Sequence, residues 1–374
     1  PSEIAAQQII QRFEKLHPHI RLTTSQGLTI AGKGDEITVL MQIAADIAPD
    51  ILYVNFKNSD SYIQQGFLRP LDEFIARTPK EEIDSRVPPA AWQVIRRPGP
   101  DGQIHTWALP HSTVVMVMNY RRNLFREAGL NPDRGPRDWK DLEEFCRKIK
   151  AAHPDVYGLG FSRDVDESWK FMSFLWSAGG DAMQEIAPHQ WRAVYATPES
   201  VEAIYFYYRL VKEGLAYRGP DVNALSKRDK IAMAFNYLDE KELAGQDPVQ
   251  YGICPVPRGP NGIHGNEVNC GMMGIFAGVK DPRKLQAAWE FIRFYDSPEA
   301  RKIRTRVFVE NAQAARINPK YLREFGYEEY LEDVPKEWAT AYEEAIASGK
   351  PEPYGKNSNL IYKEMSAPMD QMFY

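Results

Sequence analysis

The stretch QIAADIAPDILYVN (Gln42–Asn55) constrains the fold of this chain more than any other. Apolar Val39, Leu40, Ile43 and Ile47 recur at helical spacing and predict one buried helix face. Pro49 and Asp50 stop that helix, because a residue ahead of proline is pushed out of the helical region. The unbroken apolar run Ile51–Val54 then predicts a short strand, buried on both faces within a parallel sheet. Helix, tight turn and buried strand in that order place the chain in the α/β class. Asn55 and Phe56 sit at the carboxyl end of the strand, where open α/β sheets hold their ligands. A second helix follows and closes on Gly66.

With 374 residues the chain is too long for a single core and divides more naturally into two domains. A net charge of −5, with no dense Lys/Arg run, argues against a nucleic-acid partner. Val114–Met118, the longest obvious candidate for a membrane segment, is only strand-sized, far short of the roughly 20 residues that span a bilayer. Cys146, Cys254 and Cys270 lack metal-ligand spacing and read as small buried hydrophobes; a Cys254–Cys270 bridge stays open.

Motifs for chemistry are weak. GLTIAGKG (Gly27–Gly34) approaches a phosphate-binding loop but has Gly34 where a hydroxyl should hold magnesium, so it reads as a plain loop. Gly158–Gly160 lacks the third glycine of a dinucleotide site. His105 and His111 have no metal spacing; His105 reads as a surface or packing residue. No serine nucleophile elbow occurs, and the acidic residues of Glu329–Ala345 suit a solvated helix face. No metal and no cofactor are expected. Aromatic residues are the positive signal, at 12% of the chain. Sugar rings offer apolar faces and polar edges, which aromatic planes with Asn, Asp and Arg side chains hold well.

Several segments, in order, resemble one family. Residues 47–55 follow an "-APD-" turn and a "-hDVhhhD/N-" strand, and Gly66–Ile75 follows "GhLxPLDxFI". Gly102–Leu130 follows "GKhYGhPYxxxxxxhYYNKDLFKEAGL", with Arg121 where asparagine is usual. Pro136–Pro154 follows a "PxTWdEhhxxAkkh" helix with Asp138 as its cap, and Asp166–Asp181 follows an aromatic helix ending in "aGGd". Thr197–Ala216, capped by Thr197, Lys230–Leu243, Tyr251–Gly262 and Asn269–Lys302 continue the match. The chain thus resembles the extracellular solute-binding proteins of ABC importers, in the carbohydrate-binding, maltose-binding-protein-like group.

That resemblance implies a periplasmic-binding-protein-like fold, two doubly wound α/β lobes joined by a multi-crossing hinge. The lobes would be 1–113 plus 258–312 and 114–257 plus 313–374, with the ligand in a cleft between them. It also implies a strand ahead of the helix Ile4–His17, a strand over Ile20–Thr24, and continuation past Tyr374. Localisation would be periplasmic or extracellular, with a membrane anchor in a segment preceding Pro1. The ligand residues it implies are Asn55, Phe56, His111, Ser112 and Thr113, then Trp169 and Trp176, seven apart on one helical face. Asn236, Tyr237 and Asp239 fall in the family's "NGxW" segment, Asn269 and Met272 in its glycine-rich turn, and Arg316 on its return crossing. Core packing is the alternative for both tryptophans.

The expected function is capture of a sugar or oligosaccharide for a membrane permease, by a monomer without enzymatic activity. Two alternatives stay open: the same fold binding another solute, such as an acidic sugar or polyamine, and a glycan hydrolase.

Overall fold

The computed structural model describes residues 1–23, 35–238 and 246–373. The loop Gly27–Gly34, Thr24 and Asp239 lie outside the described residues. Twelve strands occur among them: β1 (Ile51–Val54), β2 (Arg96–Pro98), β3 (Ile104–Thr106), β4 (Leu109–Arg121), β5 (Tyr157–Phe161) and β6 (Met183–Ala187). Then come β7 (Gln190–Ala193), β8 (Ala216–Arg218), β9 (Ile231–Leu238), β10 (Tyr251–Pro255), β11 (Glu267–Ile275) and β12 (Lys350–Pro351). The chain divides into two compact units. Unit 1 is Pro1–Thr113, Asn269–Ala312 and Tyr354–Ser358; unit 2 is Val114–Val268, Gln313–Pro353 and Asn359–Tyr374. Two of the changes of unit fall inside strands β4 and β11.

In unit 1 the helix Asp35–Ala44 precedes β1, as the sequence requires. The strand itself corrects the expectation. β1 pairs antiparallel with β11, Ile51 opposite Ile275 and Val54 opposite Met272. Leu52 and Val54 are buried while Tyr53 is exposed, so only one face is covered. Asn55 caps the next helix, Phe56–Gln64, its side chain accepting from the Asn58 amide at 3.0 Å. Gly66 ends that segment at φ +70°, where a side chain would be strained. The helix expected over Ile4–His17 spans Ser2–Leu16 and buries Ala5, Ile9 and Phe13. Ala5 and Ile9 pack with Ala300, Ile303 and Val307 of the helix Pro298–Glu310. Residues 20–23 are not in a strand.

In unit 2 the strands run β10–β4–β9–β5–β8. β4 is antiparallel to β10 and β9, whereas β5 is parallel to β9 and β8. A parallel pair needs a crossover, and the helices Trp139–Ala152, Val165–Ser177 and Pro198–Lys212 flank these strands in the sequence. Asp138, Asp164 and Thr197 cap those three helices by accepting backbone amides. These helices and the strands β5 and β9 share a dense aromatic core: Trp139 stacks on Phe206 at 4.3 Å, Phe161 meets Tyr207 edge to face, and Phe174 meets Phe235 likewise. Cys146, Cys254 and Cys270 are free thiols, and burial pushes the latter two up to about 12.

Candidate functional site

The residues expected to hold a ligand fall into separate groups. In unit 2 the half-buried Trp169 and Tyr237 lie together, ring centroids 5.1 Å apart and tilted by 60°. Trp169 comes from the first turns of its helix and Tyr237 from the end of β9. One buried carboxylate fastens both. Trp169 Nε1 donates to Glu267 Oε2 at 2.8 Å, and the Tyr237 hydroxyl donates to Glu267 Oε1. Glu267 is only 1% exposed and opens β11. A second buried carboxylate, Glu352, accepts from the Tyr362 hydroxyl at 2.9 Å. Burial, then Glu352, Glu267 and Tyr237, hold the Tyr362 phenol protonated, well above its ordinary range.

Glu267, Glu352 and Tyr362 escaped the sequence reading. The signal available was an acidic residue at the head of the apolar run Val268–Ile275. Charge inside such a strand stays buried only where donors meet it.

Trp176 belongs elsewhere. It is 3% exposed, its indole N–H donates to Asp181 at 2.9 Å, and the Lys350 ammonium sits 5.7 Å from its ring. Burial on all sides makes it a core residue here. Asn236 points to the other face of β9 from Tyr237 and donates to Asn119 Oδ1 at 3.0 Å. The Arg316 guanidinium donates twice to the Gln246 carbonyl, at 3.2 and 3.0 Å, and burial lowers its pKa against the pull of Asp247.

In unit 1, His111, Ser112 and Thr113 project from β4 beside β11, where a Cβ added to Gly271 would meet Ser112 Oγ at 2.6 Å and His111 Cε1 at 2.8 Å. A larger residue there would have to push both side chains aside. Ser112 is exposed, and the Thr113 hydroxyl meets Cys270 Sγ at 3.7 Å. Asn269 folds its side chain back to accept the Cys270 amide. Phe56 and Met272 are fully buried, both 0% exposed, and pack as core.

The His111 ring neighbours those of Tyr295, at 5.5 Å, and Tyr53, at 6.4 Å. Burial first, then the positive Arg304 and Arg86 against the opposing Asp296, push it down to about 4 from an ordinary 6.5. The unfolded chain therefore takes up a proton near pH 6.5 that the folded chain refuses until about pH 4. Stability from this residue is complete above pH 6.5 and is lost as pH falls towards 4. Melting temperature followed across that window should drop less in His111→Gln than in the parent, and parallel curves would refute the assignment.

Comparison with known proteins sets the class. The profile of the bacterial extracellular solute-binding protein family matches residues 1–302, and the chain belongs to that family. A binding protein of Brucella abortus (strain 2308) is 25% identical over 263 residues, 67% of this chain and 59% of the relative. The chain is also similar in fold to two solved structures. An ABC substrate-binding protein of Listeria monocytogenes in complex with cycloalternan superposes with a TM-score of 0.77 at 22% identity, covering 98% of this chain and 90% of that one. UgpB of Mycobacterium tuberculosis in complex with glycerophosphocholine gives 0.76 at 18% identity, covering 99% and 90%. The two-unit α/β architecture is thus that of the periplasmic-binding-protein-like fold. Among the described residues no helix is long and apolar enough to cross a membrane.

Proposed function

We propose that the chain is the saccharide-capturing receptor of an ABC importer, acting without catalysis outside the cytoplasm and handing its ligand to a membrane permease. The observation that carries this reading is the Trp169–Tyr237 pair fixed on Glu267, in a member of a solute-binding family. Two aromatic planes held at a set angle offer stacking surface to the C–H face of a sugar, and a buried carboxylate keeps them from rearranging. Capture would shift a pre-existing equilibrium, the ligand binding one conformation of the receptor more tightly than another. The receptor would be a monomer with no nucleic-acid partner, and an anchor at the membrane would suit its task.

A non-sugar solute is the second reading, favoured by the likeness to the M. tuberculosis protein solved with glycerophosphocholine. A thermal-shift screen followed by calorimetry separates the two. Mono- and oligosaccharides should raise the melting temperature and bind at micromolar affinity or better, about −8 kcal/mol or more favourable. Shifts from glycerophosphodiesters or polyamines alone would overturn the saccharide assignment. Hydrolysis of an oligosaccharide by the purified protein would overturn the non-catalytic one.

A further inference from the structure

Unit 1 carries a cluster of metal-ligating side chains, none of them among the residues assigned to the ligand. His17 ends the helix Ser2–Leu16, His19 follows in the turn after it, and Glu290 lies on the helix Pro282–Tyr295. One ligand atom from each of the three falls within 4.8 Å of the other two. We propose that His17, His19 and Glu290 form a site for a divalent transition-metal ion of the zinc class.

Geometry first separates this set from an ordinary ion pair. His17 Nδ1 stands 3.2 Å from Glu290 Oε2, yet that oxygen is buried and makes no hydrogen bond. Two polar atoms in contact but not aligned for a hydrogen bond suit a shared third partner. Ligands of a tetrahedral zinc, with bonds of about 2.0–2.1 Å, stand roughly 3.3 Å apart. The observed separation already matches. His19 is exposed, so rotation of its ring closes the third position at small cost.

The surroundings fix the other two ligands. The His17 ring stacks on Phe13 at 4.5 Å, and Phe13 is 0% exposed, which restricts the imidazole. Gln286 Nε2 donates to Glu290 Oε1 at 3.0 Å and leaves Oε2 for the metal. Such outer partners orient ligands and sharpen affinity. Two imidazoles and one carboxylate select zinc, nickel or copper over magnesium and calcium, which prefer all-oxygen sets. A bound ion would tie the first helix of the chain to the helix Pro282–Tyr295, stapling segments more than 260 residues apart in sequence.

The test is titration of tag-free protein with ZnCl2 and NiCl2, and with MgCl2 and CaCl2 as controls. Calorimetry should show one zinc per chain with micromolar or tighter affinity and a raised melting temperature, with no response to magnesium or calcium. His19→Ala, at an exposed position, should weaken zinc binding at least tenfold while leaving the metal-free melting temperature unchanged; Glu290→Gln should weaken it similarly. Absence of zinc binding in the parent, or equal zinc binding by the His19→Ala and Glu290→Gln variants, would overturn the site.

Discussion

Trp169→Ala is expected to weaken saccharide binding by about 30-fold or more, on the order of 2 kcal/mol, with little loss of folding stability. The ring is half-buried, so its removal loses less packing than that of a fully buried tryptophan, yet it carries the larger face of the aromatic pair. Glu267→Ala should act differently. It strips the acceptor from both the Trp169 N–H and the Tyr237 hydroxyl, each left to find water at a cost of about 1–3 kcal/mol. Affinity and melting temperature should then fall together. Trp169→Phe separates the contributions by keeping a stacking face while deleting the donor, and should bind with intermediate affinity. Calorimetry with the saccharide that gives the largest thermal shift checks all three. Trp169→Ala binding within twofold of the parent would sink the platform.

The contrast between Trp169 and Trp176 shows what sequence could and could not deliver. Seven residues along a helix return to nearly the same face, so spacing gives both rings one role. The difference arises from what covers each turn. Residues 171–177 are all buried, whereas Trp169 sits where the helix reaches Tyr237 and Glu267. Local periodicity carries no information about that depth. Likewise, four apolar residues in β1 foretold a strand but not its direction, because pairing with residues 272–275 is a long-range event.

Charged and polar positions were the least legible. Arg316 read as a ligand group because guanidinium suits hydroxyls and carboxylates, and the fold also gives it the Gln246 carbonyl, which spacing could not foretell. Asn55 read as a strand-end ligand residue and is also a helix cap, a role its side chain fills with its own neighbour. Glu267 was hidden for the opposite reason. Its partners come from positions 169 and 237, and nothing adjacent in sequence announces them. The turns and caps at Gly66, Asp138 and Thr197 were readable because their partners lie within a few residues.

The largest stability effect is expected at Glu167. This carboxylate is 1% exposed and joins three elements of unit 2: it lies on the helix Val165–Ser177, receives Arg218 of β8 at 2.5 and 2.8 Å, and accepts the Tyr207 hydroxyl. Arg218 reaches on to Asp370 and lies 4.7 Å from the Phe373 ring, so the network also holds the C-terminal helix Ile361–Gln371. Burial alone would lower the Arg218 pKa, but its hydrogen bonds to Glu167 and Asp370 outweigh this and raise it. Glu167→Ala leaves a buried guanidinium with only the half-exposed Asp370 for balance, and a phenol without an acceptor. Breaking a buried pair from one side costs about 3–5 kcal/mol. Urea unfolding should show that loss as a lowered midpoint with an unchanged slope. Replacing both partners, Glu167→Ala with Arg218→Met, removes the stranded charge and should recover part of the stability. A single-variant loss below about 1 kcal/mol, or a double variant less stable than Glu167→Ala alone, would show that the carboxylate is not what holds these elements together.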